Sequence, residues 1–453
     1  METTKTIFDR VNQWVKTSIG LRIFTITFLV LILLIPVNMV EDLIRERGYR
    51  QEEAVREVSQ KWGEEQTVSG PVLTIPYHIY STITEENSKG EKTEKVIKTK
   101  KRAHFLPSKL NVEGDLQPET RHRGIYEIIV YNSSVQIFGE FEKPDFKKLN
   151  IDENNILWSE ASLSIGLSDL RSIQKKINLK WNKQFYPFEP GLNSTDVIKR
   201  GVTTAIPLNK LTLENSYQFE IALDFNGSKG INFLPFGRTT KVKISSPWKD
   251  PKFKGAFLPD ASNVSTDGFQ AEWEVLHLNR DYPQEFTGAI KNVSASAFGV
   301  DLLMPVGQYQ KSTRSVKYAV LFIGLTFLVF FFVQIINNVR IHPIQYLLVG
   351  LALCLFFTLL VSLSEHISFM YSYLSASIAI ILMITGFAKS IFKETKLTLI
   401  LAGIMTFLYG FIYIIIQLQD YSLLVGSAGL IAILGGVMYL SRNIDWYNSN
   451  KKE

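Results

Sequence analysis

Six histidines, at positions 78, 104, 122, 277, 342 and 366, are the first candidates for chemistry, because imidazole titrates near neutral pH and ligates metals. No pair of them has the helical spacing of a zinc site, so no metal is expected. A Walker A loop, His-Glu-x-x-His, Gly-x-Ser-x-Gly and Cys-x-x-Cys are all missing, which leaves nucleotide, protease, hydrolase and dithiol templates without local support. No catalytic residue and no cofactor is expected from motifs, and only a constellation assembled from distant residues could alter that.

Two short stretches keep a site in view. Arg340-Ile-His342-Pro343 opens a long apolar run, and Ser362-Leu-Ser364-Glu365-His366 closes it. Proline suits a first helical turn, where its missing N–H costs nothing. Ionisable groups at the edge of a bilayer cost little, so capping and anchoring account for these residues. The functional alternative is a proton- or partner-sensing set made of His342, Glu365 and His366.

That apolar run is one of six. The spans Ile23–Val40, Tyr318–Ile336, Ile344–Leu363, Tyr371–Ala388, Leu397–Ile416 and Tyr421–Leu440 each approach the roughly 20 residues that a helix needs to cross a bilayer. They predict an integral membrane protein with one N-terminal helix and a five-helix C-terminal bundle. The first run exceeds a signal peptide's apolar stretch and ends in Glu41-Asp-Leu-Ile-Arg-Glu-Arg47, so it reads as an uncleaved anchor. If the N-terminus is inside, the inner segments hold Lys5, Arg10, Lys16 and Arg22, then Arg340, then Lys389, Lys393 and Lys396, then Arg442, Lys451 and Lys452. The outer loops 364–370 and 417–420 hold no Lys or Arg, which puts residues 41–317 outside the cytoplasm.

The expected organisation is a cytoplasmic segment 1–22, a transmembrane helix 23–40, a helical stalk 41–64, a periplasmic β-rich domain 65–317, a bundle 318–440 and a cytoplasmic tail 441–453. The fold class is thus a membrane protein of α+β type, its β-domain sandwich-like and inserted between helices 1 and 2. Ile44, Val55, Val58 and Trp62 suggest one apolar stripe along the stalk. Strand-like runs recur at Val72–Tyr80, Ile125–Tyr131, Val135–Phe141, Tyr217–Phe225, Thr239–Ser245 and Phe269–Leu278. The charged stretch Thr84–Lys95 reads as a hairpin tip. Phe-Leu-Pro at 105–107 and 257–259 each precedes a strand-like run, which suggests two modules, but a third copy at 233–235 leaves chance open.

A formal charge of +6 and a pI near 9.0 are largely explained by basic residues flanking the helices, so nucleic acid is not an expected partner. Membrane lipids are, together with an envelope or periplasmic protein. The single cysteine, Cys354, lies inside the third apolar run, so the large domain needs a core without disulfides, as suits a bacterial periplasm. The apolar runs carry no row of charged residues, which argues against an ion-coupled transporter. Small residues at four-residue spacing, Ala428, Ala432 and Gly436 and also Ser372 with Ala376, are expected as packing seams.

Several stretches, in order and spacing, resemble the CreD inner-membrane protein family. They are Gly70-Pro-Val-Leu-Thr-Ile-Pro-Tyr77, Phe105-Leu-Pro through Arg123-Gly-Ile-Tyr126, Gly255-Ala-Phe-Leu-Pro259, Arg314-Ser-Val-Lys-Tyr318, Arg340-Ile-His-Pro-Ile-Gln-Tyr346 and Leu363-Ser-Glu-His366. The resemblance spans nearly the whole chain and implies a protein of the bacterial inner membrane, associated with envelope integrity and stress response. It carries no catalytic residue with it. The expectation is therefore a non-enzymatic envelope protein acting through its periplasmic domain, with a lipid- or solute-handling protein, its β-domain a gate or receiver, as the alternative.

Overall fold

The computed structural model describes residues 19–86, 92–290, 292–302, 308–337, 339–418 and 421–442. The chain forms two compact units, one of residues 1–52 with 306–453 and the other of residues 53–305.

The first unit is helical. Helix α1 (Ile19–Trp62) begins in it, and the unit boundary falls inside α1, after Glu52. Then follow α2 (Gln308–Lys317), α3 (Ala319–Ile336), α4 (Pro343–Ser364), α5 (Phe369–Phe392), α6 (Thr395–Gln417) and α7 (Ser422–Ser441). All but the short, polar α2 are long and apolar enough to span a membrane. The core shared by α1 and α3 to α6 is aromatic, with Phe322, Phe327, Phe330, Phe356 and Phe357 at most 1% exposed. Rings meet edge to face, as Phe356 does with Tyr373 and Tyr409. Helix α1 packs closely on α4 because Gly350 and Cys354, one turn apart, leave room for Leu33.

The expected seams divide. Ser372 and Ala376 are fully buried in the bundle, whereas Ala428, Ala432 and Gly436 on α7 are exposed. The second unit ends at residue 305, before the expected end of the β-domain at 317. Its last strand ends at Leu302, and α2 belongs to the helical unit, because its buried Ser312, Ser315 and Val316 recur at helical rather than strand spacing.

The second unit contains seventeen strands among the described residues. In chain order they are β1 (Gln66–Glu86), β2 (Lys92–Phe105), β3 (Lys109–Arg123), β4 (Tyr126–Glu142), β5 (Ser162–Leu167), β6 (Asn178–Trp181), β7 (Gln184–Pro187), β8 (Glu189–Pro190) and β9 (Gly201–Ala205). The rest are β10 (Ser216–Ser228), β11 (Gly230–Phe233), β12 (Thr239–Ser246), β13 (Pro251–Gly255), β14 (Ala261–Ser265), β15 (Gly268–Leu276), β16 (Glu285–Thr287) and β17 (Phe298–Leu302). One sheet runs β13-β17-β11-β1-β5-β9-β8 with β2 and β16 alongside, and the other runs β14-β15-β12-β3-β4-β10-β6-β7. Alternation of apolar and polar residues, clear in β10 and β15, turns one face of the second sheet inward. Both sheets feed one core, where Trp273 of β15 lies 5.7 Å from Phe298 of β17. Tyr131 of β4 pins the sheets together by donating to the Gly230 carbonyl of β11 at 2.9 Å.

Four of the six strand-like runs fall wholly within strands, whereas Ile125 precedes β4 and His277 and Leu278 run past the end of β15; Ile125–Tyr131 and Val135–Phe141 share the single β4. Register shifts between Ser69 and Val72 on β1, and this irregularity accommodates Gly70-Pro71. Gly70 there has φ +101°, a backbone conformation that side chains rarely allow. Residues 87–91 of the expected hairpin tip lie outside the described residues.

The three Phe-Leu-Pro copies have a shared structural cause. Each follows a strand of the first sheet (β2, β11 or β13) and precedes a strand of the second (β3, β12 or β14). Proline cannot continue a hydrogen-bonded ladder, so the tripeptide ends one strand and lets the chain change sheets. The copies serve one interleaved sandwich rather than two modules.

The stalk's stripe serves two units. Ile44 is buried in the helical core, whereas Ala54, Val55, Val58 and Trp62 pack on Tyr126, Ile128 and Val130 of β4. Trp62 Nε1 donates to the Tyr131 carbonyl at 3.3 Å. The Arg121 guanidinium lies 3.7 Å above the Trp62 ring, and Arg123 pairs with Glu57 at 3.1 Å.

Candidate functional site

The three residues singled out in the sequence are not brought together. His342 stands at the N-cap of α4, where its Nδ1 accepts from Ile344 N–H at 3.3 Å and its own N–H donates to Gln345 Oε1 at 2.8 Å. This reciprocal capping satisfies otherwise unpaired donors at the helix start. Glu365 lies at the other end of the 22-residue helix, about 33 Å away at 1.5 Å per residue. Its carboxylate does not serve His366, which is exposed. It accepts instead from Tyr309 Oη of α2 at 2.9 Å, and Arg47 Nε of α1 lies 3.6 Å from the same oxygen. The Glu365 side chain is only 11% exposed, so α1, α2 and α4 share one enclosed polar node.

Two polar nodes in the β-unit were not foreseen. In the first, Thr74 of β1 and His104 of β2 are direct cross-strand partners, and Thr74 Oγ1 lies 3.0 Å from His104 Nδ1. His104 Nε2 lies 3.1 Å from Asp196 Oδ2, which also accepts from Ser194 Oγ at 2.8 Å. Burial drives the His104 pKa below the usual value, against the opposing pull of Asp196. Burial would raise Asp196, but the bonds from Ser194 and His104 outweigh it and leave the carboxyl below its usual range. A hydroxyl, an imidazole and a carboxylate in line form the set used in nucleophilic catalysis. Here Thr74 is 4% and His104 1% exposed, so the hydroxyl faces protein rather than an approachable substrate. What the set can do is hold β1, β2 and the loop before β9 together through one titratable ring.

In the second node, the Lys254 ammonium of β13 lies between the carboxylates of Glu65 and Asp301, and Asn232 donates to Glu65 at 2.8 Å. Burial would raise Glu65, yet its bonds to Lys254 and Asn232 hold its pKa below the usual value. Lys254 is pulled down by burial and up, with net effect, by its two carboxylates. The ammonium is shared by two carboxylates, leaving one net negative charge, and the node joins the outer strands of the first sheet to the start of β1. Among the described residues, no group of three or more His, Cys, Asp or Glu side chains could hold a metal ion.

Neither node left a local mark in the sequence, because apart from Ser194 and Asp196 its bonded members lie 30 to 189 positions apart. Strand pairing and the loops beside the strands bring them together.

Comparison with known proteins places the chain. The profile of the family described as "Inner membrane protein CreD" matches residues 18–447. The inner membrane protein CreD of Escherichia coli (strain K12) is 31% identical over 421 residues, covering 92% of this chain and 91% of that protein. Among solved structures, a crystal structure of an M1 zinc metallopeptidase from Deinococcus radiodurans aligns with 44% of this chain and 42% of its own. At 9% identity and a TM-score of 0.21 that alignment establishes no likeness of fold. The whole-length match and the six apolar helices agree: this chain belongs to the CreD family of multi-pass inner membrane proteins.

Proposed function

We propose that this protein is a non-enzymatic component of the bacterial envelope that supports envelope integrity and stress response. Its helices anchor it with both termini in the cytoplasm, and its β-unit stands in the periplasm and binds an envelope component or a partner protein. The observation that carries this reading is the β-unit itself, a two-sheet domain with its own core whose His104 and Lys254 nodes tie strands together. Such nodes serve a rigid scaffold that presents a surface. The orientation is supported by the loops, since Arg340, Lys389, Lys393, Lys396 and Arg442 fall on one side and none falls in 364–370 or 417–420.

Crosslinking in intact cells with a reagent confined to the periplasm tests both parts. Proteins or lipids captured reproducibly by the β-unit are the expected result. A β-unit that captures nothing above a folded control domain would overturn the binding role. An amine reagent outside the membrane should spare Lys393, and labelling there would overturn the orientation.

A further inference from the structure

The first two strands outrun the sheet that contains them. From His78↔Lys100 to Glu86↔Lys92, β1 and β2 pair with each other over nine registered positions, whereas β5 leaves β1 at Thr74 and β16 leaves β2 at Ala103. At 3.4 Å per residue the two-stranded ribbon extends roughly 30 Å. A ribbon of two strands is marginal in water on its own, and beyond Ile79, which packs against the core of the β-unit, the described side chains of this one are exposed.

Its composition is divided along its length. Residues 78–83 and 95–102 include five basic side chains, Lys95, Lys98, Lys100, Lys101 and Arg102, and no acidic one, while Glu85, Glu86 and Glu94 lie toward the tip; Lys100, at the base of the ribbon, is ion-paired with Glu160. The same stretch exposes apolar residues on both faces: Tyr80 (53%), Ile83 (37%), Val96 (63%) and Ile97 (36%). Tyr80 and Val96 lie on one face and Ile83 and Ile97 on the other, because directly paired residues share a face. The Lys98 ammonium lies 6.0 Å from the Tyr80 ring centre. A purely solvated arm gains nothing from these apolar side chains. A bilayer interface uses both kinds, with the apolar groups entering the acyl boundary and the long basic chains reaching anionic headgroups.

We propose that the β1–β2 ribbon is a lipid-binding arm that docks on anionic phospholipid headgroups. Charge selects the surface and Tyr80, Ile83, Val96 and Ile97 supply the grip, as they do for basic interfacial segments in general. This deepens the binding role proposed above by naming the ligand class, and it rests on that role only in making the β-unit a binding surface.

The test uses the full chain in nanodiscs. In a Cys354→Ala background, Ile97→Cys carries an environment-sensitive fluorophore, in discs of phosphatidylcholine with or without phosphatidylglycerol. With phosphatidylglycerol, emission should shift to the blue and be quenched by a nitroxide-labelled lipid, and both effects should be lost in Lys98→Glu/Lys101→Glu. Should that variant not fold, about 0.5 M salt asks the same question of the unaltered arm, because screening then acts within a few ångströms. A label on Asn263→Cys, on the exposed β14, should stay aqueous in every disc. A position-97 label that is equally aqueous in both discs would overturn the proposal, as would burial independent of lipid charge. Either failure leaves the cellular crosslinking result, and with it the broader binding role, to stand or fall separately.

Discussion

Tyr309 Oη donates to Glu365 Oε1 at 2.9 Å, and this bond joins the start of α2 to the end of α4. Arg47 stands 3.6 Å from the same oxygen with its side chain 36% exposed, so its attraction is screened and contributes about 1 kcal/mol at most.

Glu365→Gln keeps an acceptor for Tyr309 and loses only the charge, so the melting temperature of the solubilised protein should shift little. Glu365→Leu removes a hydrogen bond to a charged group and should cost about 1.5–3 kcal/mol. Equal destabilisation by the two substitutions would show that charge, not the hydrogen bond, governs the node. An envelope phenotype lost in Glu365→Gln at normal abundance would give the charge a role beyond packing.

His342 is expected to behave as a cap. His342→Asn preserves a capping acceptor and should be near neutral, whereas His342→Ala should cost about 1 kcal/mol. Thermal unfolding of the two variants side by side decides it. A His342→Asn variant as unstable as His342→Ala would overturn the capping role.

Much of this could be read along the chain, and the reasons are physical. A run of apolar residues long enough to cross a bilayer is a local property, so α3 to α7 follow from composition, with ends displaced by a few residues. Alternation is local too, and the strand-like runs at Tyr217–Phe225 and Thr239–Ser245 sit inside β10 and β12. Helix α2 escaped notice because its ten mostly polar residues, after a β-rich domain, carry no apolar run. The partners of Glu365, Arg47 and Tyr309, lie 318 and 56 positions away, and only helix packing unites them. The stalk stripe was visible, but one stripe cannot reveal that its two ends face different cores. The exposure of Ala428, Ala432 and Gly436 shows the same limit, since small residues permit close packing without supplying a neighbour.

The buried imidazole of His104 makes the β-unit acid-sensitive. Its folded pKa lies below that of the unfolded chain, so between the two the unfolded state binds more protons and stability rises with pH. Stability should therefore fall as pH drops below the unfolded value near 6.5. Asp196, held below its usual range, adds a second loss only at more acidic pH, as it becomes protonated. Replacing His104 by Asn should flatten the dependence between about pH 7 and 5, whatever its cost at neutral pH. Pulse proteolysis of the solubilised chain across that range measures it. An unchanged slope in the variant would remove His104 as the source.

Two tyrosines in the bundle should answer differently to loss of their hydroxyls. Tyr373 Oη donates to the Tyr409 carbonyl at 2.8 Å, while the Tyr409 hydroxyl is buried with no partner among the described residues. Tyr373→Phe should cost about 0.5–1.5 kcal/mol, and Tyr409→Phe should be neutral or stabilising, because it removes a desolvated group that gains nothing. Destabilisation by Tyr409→Phe would indicate a bound water on that hydroxyl, and thermal melts of both variants separate the cases.

At Gly350 the backbone of α4 comes close to Leu33 of α1. A Cβ at this position would lie 2.1 Å from Leu33 Cδ1, with Phe327 Cζ at 3.0 Å and Leu33 Cδ2 at 3.2 Å. Leu33 cannot swing aside freely, since it is fully buried and Cys354 packs against its backbone one turn along. Gly350→Ala should therefore overpack the contact and cost about 1–3 kcal/mol, although alanine is the better helix former. Leu33→Ala alone should cost about 2–5 kcal/mol by leaving a cavity. Combined, the two changes should cost clearly less than their sum, because the added methyl enters space that the leucine vacated. Unfolding the four proteins in the same detergent gives the coupling directly. Simple additivity would show that α1 can shift to accept the methyl, and that Gly350 does not set the distance between the helices.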